Sequence, residues 1–301
     1  MWFRNLQLYR LIETFELTPD ALHDALAERA FRPCAGLDTH SMGWVPPAGR
    51  EASQLVHAGN GRIMLCLRRE DRILPSAVVR EHVEEKAEAI ALAESRPVGR
   101  KEKQRIKDEV LTDLLPRAFT RSSHLYAYID PNDGWVVVDS ASAKKAEELL
   151  SALRETLGSL RVRPLAVNNS PAAVLTRWLE AAPMPGFELG DECELKEPVD
   201  KGGVMRGRRI DLGSAEVKSH LDAGMQVAKL AVDWQERIGC ILCDDLSVRR
   251  LRFLDLVMQE AADIEAEDAL ARFDADFALM GMELARFIPA VVEAFGGLDE
   301  N

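Results

Sequence analysis

No segment of this 301-residue sequence approaches the roughly 20 uncharged, apolar residues needed to cross a bilayer. Its opening residues, Met1-Trp2-Phe3-Arg4-Asn5, lack the basic stretch, apolar core and small-residue cleavage site of a secretory leader. A cytoplasmic location without membrane partners is therefore expected. Cysteines are few and odd in number (Cys34, Cys66, Cys193, Cys240, Cys243), which argues against a disulfide framework. Cys240 and Cys243 form a C-x-x-C, but residues 237–243 read as a buried strand, on which positions three apart face opposite ways. No second Cys or His pair follows, so buried thiols are expected, with a zinc site as the alternative. The histidines at 23, 40, 57, 82, 124 and 220 show no recurring metal spacing, and no other cofactor is implied. No G-x-S-x-G surrounds a serine, and Ser122-Ser123-His124 is adjacency rather than a triad. Gly202–Gly207 lacks the Lys-Ser/Thr of a phosphate loop and opens a strand, not a helix. Zinc-finger, basic-zipper and RNP-type aromatic motifs are also missing, so base-specific readout of a nucleic acid is not expected.

What is present is a globular composition: 47% apolar residues, enough for a sizeable core, and 29% charged ones. The length suits two domains, or one with a large insertion. The formal charge is −12, but it is unevenly placed. Residues 255–301 carry twelve Asp and Glu against only Arg272 and Arg286. Residues 96–121 run the other way, with Arg96, Arg100, Lys101, Lys103, Arg105, Lys107, Arg117 and Arg121 against Glu102, Asp108, Glu109 and Asp113. So do residues 201–211, with Lys201, Arg206, Arg208 and Arg209 against Asp211. Two readings of these basic clusters stand open: solvated surface, or a local positive field for phosphates.

Periodicity predicts an α+β chain. Strands are expected over 2–12, 62–68, 125–129, 135–139 and 161–167, and helices over 19–30 and 143–157, with 43–49 as turn. Residues 76–94 and 101–115 read as a helical hairpin projecting from the first sheet. In the second half, strands over 187–195, 204–212, 225–234, 238–243 and 248–253 suggest an antiparallel sheet, with helices over 171–181 and 214–221. A long helix over 267–295 closes the chain, with an apolar stripe running from Leu270 to Phe295 and an expected kink at Pro289. That stripe reads either as packing on its own sheet or as a subunit interface. The expected division is 1–75 with 116–165 as a central module, 76–115 as a helical tip, and 166–301 as a second module.

On the strand over 204–211, Arg206 and Arg208 share one face while Arg209 points the other way. Arg250 and Arg252 share a face opposite Leu251 and Phe253, and Lys229 lies mid-strand. Basic side chains on neighbouring strands would make a broad cationic surface that contacts phosphates without reading sequence. Asp244-Asp245 and Asp274/Asp276 raise a second possibility, a magnesium-dependent nuclease. Asp274 and Asp276, two apart on a helix, diverge by about 200°. A third possibility is a protein-only adaptor acting through the acidic C-terminal helix.

Several segments carry a more specific signal. They include Trp2-Phe3-Arg4-Asn5-Leu6 with Tyr9-Arg10-Leu11, Met42-Gly43-Trp44-Val45-Pro46-Pro47, Ile73-Leu74-Pro75-Ser76 and Lys107-Asp108-Glu109-Val110-Leu111. Further on stand Leu114-Leu115-Pro116-Arg117-Ala118-Phe119, Asp139-Ser140-Ala141-Ser142-Ala143-Lys144-Lys145-Ala146-Glu147, Lys229–Gln235, Cys243-Asp244-Asp245 and Arg272–Phe277. With these motifs the chain closely resembles the RdgC family of bacterial recombination-associated proteins over nearly its whole length.

The resemblance implies a ring-shaped homodimer with a basic central hole that encircles DNA. It also implies binding of single- and double-stranded DNA with little sequence preference, restraint of RecA-driven strand exchange, association with the nucleoid, and no enzymatic activity. Whether RecA is touched directly is left open. The resemblance places Phe119 near one of two ring contacts, plain core being the alternative for that residue. It aligns Arg208 and Arg209 with a basic pair on a DNA-facing strand, where the family pattern can carry Gln next; here Ile210 follows, so a polar contact at that position is in doubt. The expected DNA-contacting set is Arg206, Arg208, Arg209, Lys229, Arg250, Arg117, Arg121, Lys144 and Lys145, with Phe119 at the dimer contact and no metal ligands.

Overall fold

In residues 62–67, Ile63 through Leu67 form an unbroken apolar run, and such a run suits a strand covered on both faces. A computed structural model of the chain describes residues 1–299; Glu300, counted in the acidic C-terminal segment, and Asn301 lie outside the described residues. The order is β1 (Gln7–Leu11), α1 (Pro19–Ala27), β2 (His40–Val45), β3 (Val56–Gly59), β4 (Arg62–Ile73), α2 (Ser76–Glu94), α3 (Arg100–Leu114), a 3-10 turn (Leu115–Arg117), β5 (Phe119–Asp130), β6 (Trp135–Val138), α4 (Ala143–Leu157) and β7 (Val162–Pro164). Then follow α5 (Pro171–Glu180), β8 (Phe187–Lys196), β9 (Val204–Arg208), α6 (Ala215–Asp222), β10 (Gln226–Trp234), β11 (Ile238–Cys243), β12 (Val248–Phe253), α7 (Asp255–Asp263) and α8 (Ala269–Ala294).

Seven strands form the first sheet in the order β2-β4-β5-β6-β1-β7, with β3 also on β4; five form the second, β12-β11-β10-β8-β9. The strand pairs in both are antiparallel. On one face of the first sheet, Leu65, Leu67, Ala127, Ile129, Val136 and Val138 meet Leu22 and Leu26 of α1 and Leu149, Leu150 and Leu153 of α4. Its other face, with Leu8, Met64, Tyr128 and Val137, shares a core with α8 and the inner face of the second sheet. Helix α8 is therefore a central beam: Phe277 meets Tyr128 on one side, and Phe287 meets Trp234 on the other. From Phe273 to Phe295 the apolar stripe is packing within the chain, Leu270 alone being half exposed, and the helix runs unbroken through Pro289 to Ala294.

The segment Arg4-Asn5-Leu6 ties the two sheets together. Leu6 and Val248 exchange backbone hydrogen bonds, and Leu251 N–H donates to the Arg4 carbonyl. Helices α2 and α3 close on a small core of their own, Val79, Ala87, Ile106 and Val110.

Three local expectations need correction. Residues 43–49 are not all turn: β2 occupies His40–Val45 and pairs with β4. Gly43 is needed there because a Cβ would lie 2.5 Å from the Cα of Phe31, whose segment runs parallel alongside this strand. Strand β3 was not expected, and β4 and β5 extend further than their apolar runs, pairing as far as Ile73 with Phe119. Helix α7 was not expected either; it buries only Val257 and Ala261, too few apolar positions to show a period.

Candidate nucleic-acid interface

The inner face of the second sheet is apolar, and its outer face is solvated, as antiparallel sheets allow. Arg206 and Arg208 stand on the outer face of β9, while Gly207 between them is buried. The register places Arg206 opposite Glu194 and Arg208 opposite Glu192 on β8, and Lys229 on β10 opposite Glu194 from the other side. Two rungs result. Glu194 accepts from Arg206 Nε at 2.8 Å and from Lys229 Nζ at 2.9 Å. Glu192 accepts from Arg208 Nε at 3.1 Å and from Arg250 at 2.7 Å.

Arg250 reaches this rung by a different route from the expected one. The register shifts between Gly239, opposite Arg252, and Ile241, opposite Arg249, so β12 carries an extra residue there. Arg250 takes a left-handed φ of 48° at this bulge. Simple alternation is broken, and Arg249 joins Arg250 beside the rungs. Period-two alternation places Arg250 with Arg252, and the expected cationic set does not include Arg249.

The cleft over these rungs has a volume of about 350 Å³ and is lined by Arg206, Arg208, Lys229, Arg249 and Arg250 around Glu192 and Glu194. At Asn5 and Ala141 it meets a larger groove of about 830 Å³ over the β2, β4 and β5 strands of the first sheet, beside the start of α4. That groove brings together Arg121 of β5 and Lys144 and Lys145 of α4, together with Arg4 and Arg69, which sequence reasoning missed. Its acids are largely engaged: Arg69 pairs with Asp71 at 2.9 Å and lies 3.7 Å from Glu148, and Asp139 accepts the backbone N–H of Arg4 and Asn5 at 3.0 and 2.9 Å. Lys144 and Lys145 occupy the first turn of α4, which has no acidic residue. Cations there oppose the helix dipole, so the two charges and the dipole add into one positive field at the groove. Neither cleft has a Phe, Tyr or Trp in its lining.

Seven of the nine expected cations thus line two adjoining clefts. Arg209, with a left-handed φ of 54° just beyond β9, and Arg117, in the 3-10 turn, do not. Ile210 packs toward the core over Gly207, leaving no polar group at that position. Phe119 is 85% exposed, which rules out the core alternative for it.

Burial works to raise the Glu194 carboxyl, but hydrogen bonds and charge from Lys229 and Arg206 outweigh it and hold the group below the usual range. Asp139 is pushed up by burial despite its two backbone donors. His124, in the groove, is lowered by burial and by the neighbouring Arg68 and Arg50, so it stands neutral at pH 7.

The acidic pairs that raised a nuclease reading are tied elsewhere. Asp245 bonds Ser247 and Arg249, and Asp244 lies 3.7 Å from Lys196. Asp274 meets His57, while Asp276 meets the Met1 ammonium, so the two diverge as helix geometry requires. Among the described residues, no three His, Cys, Asp or Glu side chains form a group that could hold a metal ion, and the Cys240 and Cys243 thiols are buried in β11. No helix among the described residues is long and apolar enough to cross a membrane.

A family model described as "Putative exonuclease, RdgC" matches residues 1–298. The chain belongs to the RdgC family. Similar relatives named "Recombination-associated protein RdgC" include that of Tolumonas auensis, 44% identical over 99% of both chains. Another is that of Aeromonas hydrophila, 44% identical over the full length of both. A third, from Salmonella paratyphi B, is 45% identical over 99% of this chain and 98% of its own. As an RdgC-family chain it is matched end to end by these relatives, so both clefts lie within the shared region.

Proposed function

We propose that the two adjoining clefts bind the backbone of double- and single-stranded DNA without reading base sequence. The observation that carries this reading is the convergence, from distant parts of the chain, of Arg4, Arg69, Arg121, Lys144 and Lys145 with Arg206, Arg208, Lys229, Arg249 and Arg250 along adjoining clefts. Cations spread over strands and a helix terminus suit phosphates, which fix position on a duplex but carry no sequence code. The lack of Phe, Tyr and Trp in the lining argues against base stacking as the main source of affinity.

Beyond the surface itself, the reading is a homodimeric ring that encircles DNA in the nucleoid and restrains RecA-driven strand exchange by occupying DNA. The family resemblance supports this part, as does an exposed Phe119 beside the 45% exposed Ile73 at one end of the first sheet, an apolar pair suited to a contact between copies. The chain is read as a binder and not as an enzyme; the exonuclease in the family's description keeps a nuclease as the second reading.

One experiment separates the two. The protein is incubated with magnesium and either a covalently closed circular duplex or a linear duplex of the same sequence. Binding without cleavage, with the circle retained through a salt wash that strips the linear form, is the expected result. Shortened linear products would establish the nuclease, and equal loss of both forms would remove the ring.

A further inference from the structure

We infer that Glu192 and Glu194 are built-in competitors for phosphate, set among the cations of the second sheet to hold its grip on DNA weak. The inference rests on the DNA-binding reading above. Strand β8 lies between β9 and β10, so Glu194 is flanked by Arg206 of β9 and Lys229 of β10, while Glu192 is held by Arg208 of β9 and by Arg250 reaching over from β12. Glu194 is only 8% exposed, yet Arg206, which it holds, is 68% exposed; Glu192 at 22% likewise holds Arg208 at 65% and Arg250 at 54%. These three arginines are the cations a phosphate would reach first, and each is bent back onto a carboxylate of the same sheet. Lys196 lies 3.7 Å from Glu194, so that carboxylate is shared by a third cation as well.

The consequence follows from the origin of affinity for DNA. A cation strengthens binding when its contact with a phosphate releases a counterion from the nucleic acid. A cation already balanced by a carboxylate about 3 Å away offers a phosphate less attraction, and the carboxylate repels the incoming charge. On this account a backbone exchanges with the carboxylates rung by rung, and no rung holds it firmly. That is the property a clamp needs if it is to move along DNA rather than stay where it lands. The opposing account is that the carboxylates aim the guanidinium groups toward DNA. The two accounts differ in sign.

The test compares wild type, Glu192→Gln, Glu194→Gln and the double variant by fluorescence anisotropy on a labelled duplex across a salt series. Glu188→Gln, which lies on β8 outside both clefts, serves as the control for loss of one formal charge. The expected result is tighter binding by about three- to tenfold for each single variant, more for the double, and little change for Glu188→Gln. Each newly available cation also steepens the log–log salt slope by about 0.9. Single-molecule tracking should show slower diffusion along DNA for the double variant. Gln variants that bind no more tightly than wild type overturn the inference. Glu192, the more exposed of the two, keeps the test decisive if Glu194→Gln fails to fold. Wild-type protein that does not bind duplex at all would instead remove the DNA-binding reading on which the inference rests.

Discussion

Two sets of carboxylates in this molecule are both paired with cations, but they are placed to opposite ends. On α8, Glu283 is buried and accepts from Arg237 Nε at 2.7 Å, and Arg237 is shared with Glu260 of α7. Asp274 and Asp276 of the same helix reach His57 and the Met1 ammonium. Glu283 and Asp276 are largely buried in these pairs, so part of the acidity of the C-terminal segment is spent inside the fold. On β8, Glu192 and Glu194 pair with cations whose other side is water. A buried ion pair and a solvent-facing one look alike in a tally of salt bridges, yet only the second stands between a cation and an incoming ligand. The net charge of −12 therefore says little about what the open face of the second sheet attracts.

The contrast can be broken in several ways. Arg237→Ala should have the largest effect on folding, because it strips the buried Glu283 of both its close hydrogen bonds and leaves only Arg286 at 3.7 Å, a change that costs up to about 3–5 kcal/mol. Denaturant unfolding measures it, and the folded fraction should still bind DNA with wild-type affinity. Reversing Arg206 and Arg208 to Glu should do the opposite. Some stability is lost, because like charges then face one another across β8 and β9, but less than for Arg237→Ala, whereas duplex affinity near 0.1 M salt should fall on the order of a hundredfold, read by anisotropy. If that double reversal leaves affinity unchanged, the open face of the second sheet is not the contact surface.

Smaller changes sharpen the comparison. Replacing Lys144 or Lys145 with Ala should weaken binding alike on unrelated sequences and reduce the salt slope by about 0.9 each. Phe119→Ser should change monomer stability by no more than about 0.5 kcal/mol, since the side chain is solvent-facing, while shifting the dimer toward monomer in sedimentation velocity. The smallest effect is a pH dependence. The folded Glu194 carboxyl is held below its ordinary value, so its ion pairs stabilise the fold above that value and the stability is lost as pH falls through the lower folded value. Thermal unfolding of wild type and Glu194→Gln should differ by a constant amount from pH 7 down to the ordinary carboxylate value and converge only below it. Convergence already near neutral pH would contradict the assignment.

Much of this surface was legible in the chain, for identifiable reasons. Arg206 and Arg208 alternate with buried Gly207, and period two alone places them together. The same alternation was available in Glu192-Cys193-Glu194-Leu195-Lys196, where the acids share the outward face; reading that strand for charge as well as for apolar residues would have found the rungs. Arg249 was not legible, because the extra residue at Arg250 resets the alternation and no Gly or Pro marks the bulge. The meeting of Arg121 with Lys144, Lys145 and Arg4 was not legible either. It depends on β5, α4 and the N-terminal segment converging, which is tertiary information. The helical hairpin and the long final helix were legible because their periods are long. The place of α8 between two sheets was not, since a stripe on a helix does not say how many partners it has.

The most direct test of the central claim is the salt dependence of duplex affinity, measured on two unrelated sequences between 50 and 200 mM salt. If the clefts neutralise roughly six phosphates, log affinity should fall against log salt with a slope of about −5, and the two sequences should give superimposable lines. A flat salt response, or lines separated by the sequence of the duplex, would contradict a backbone-reading surface.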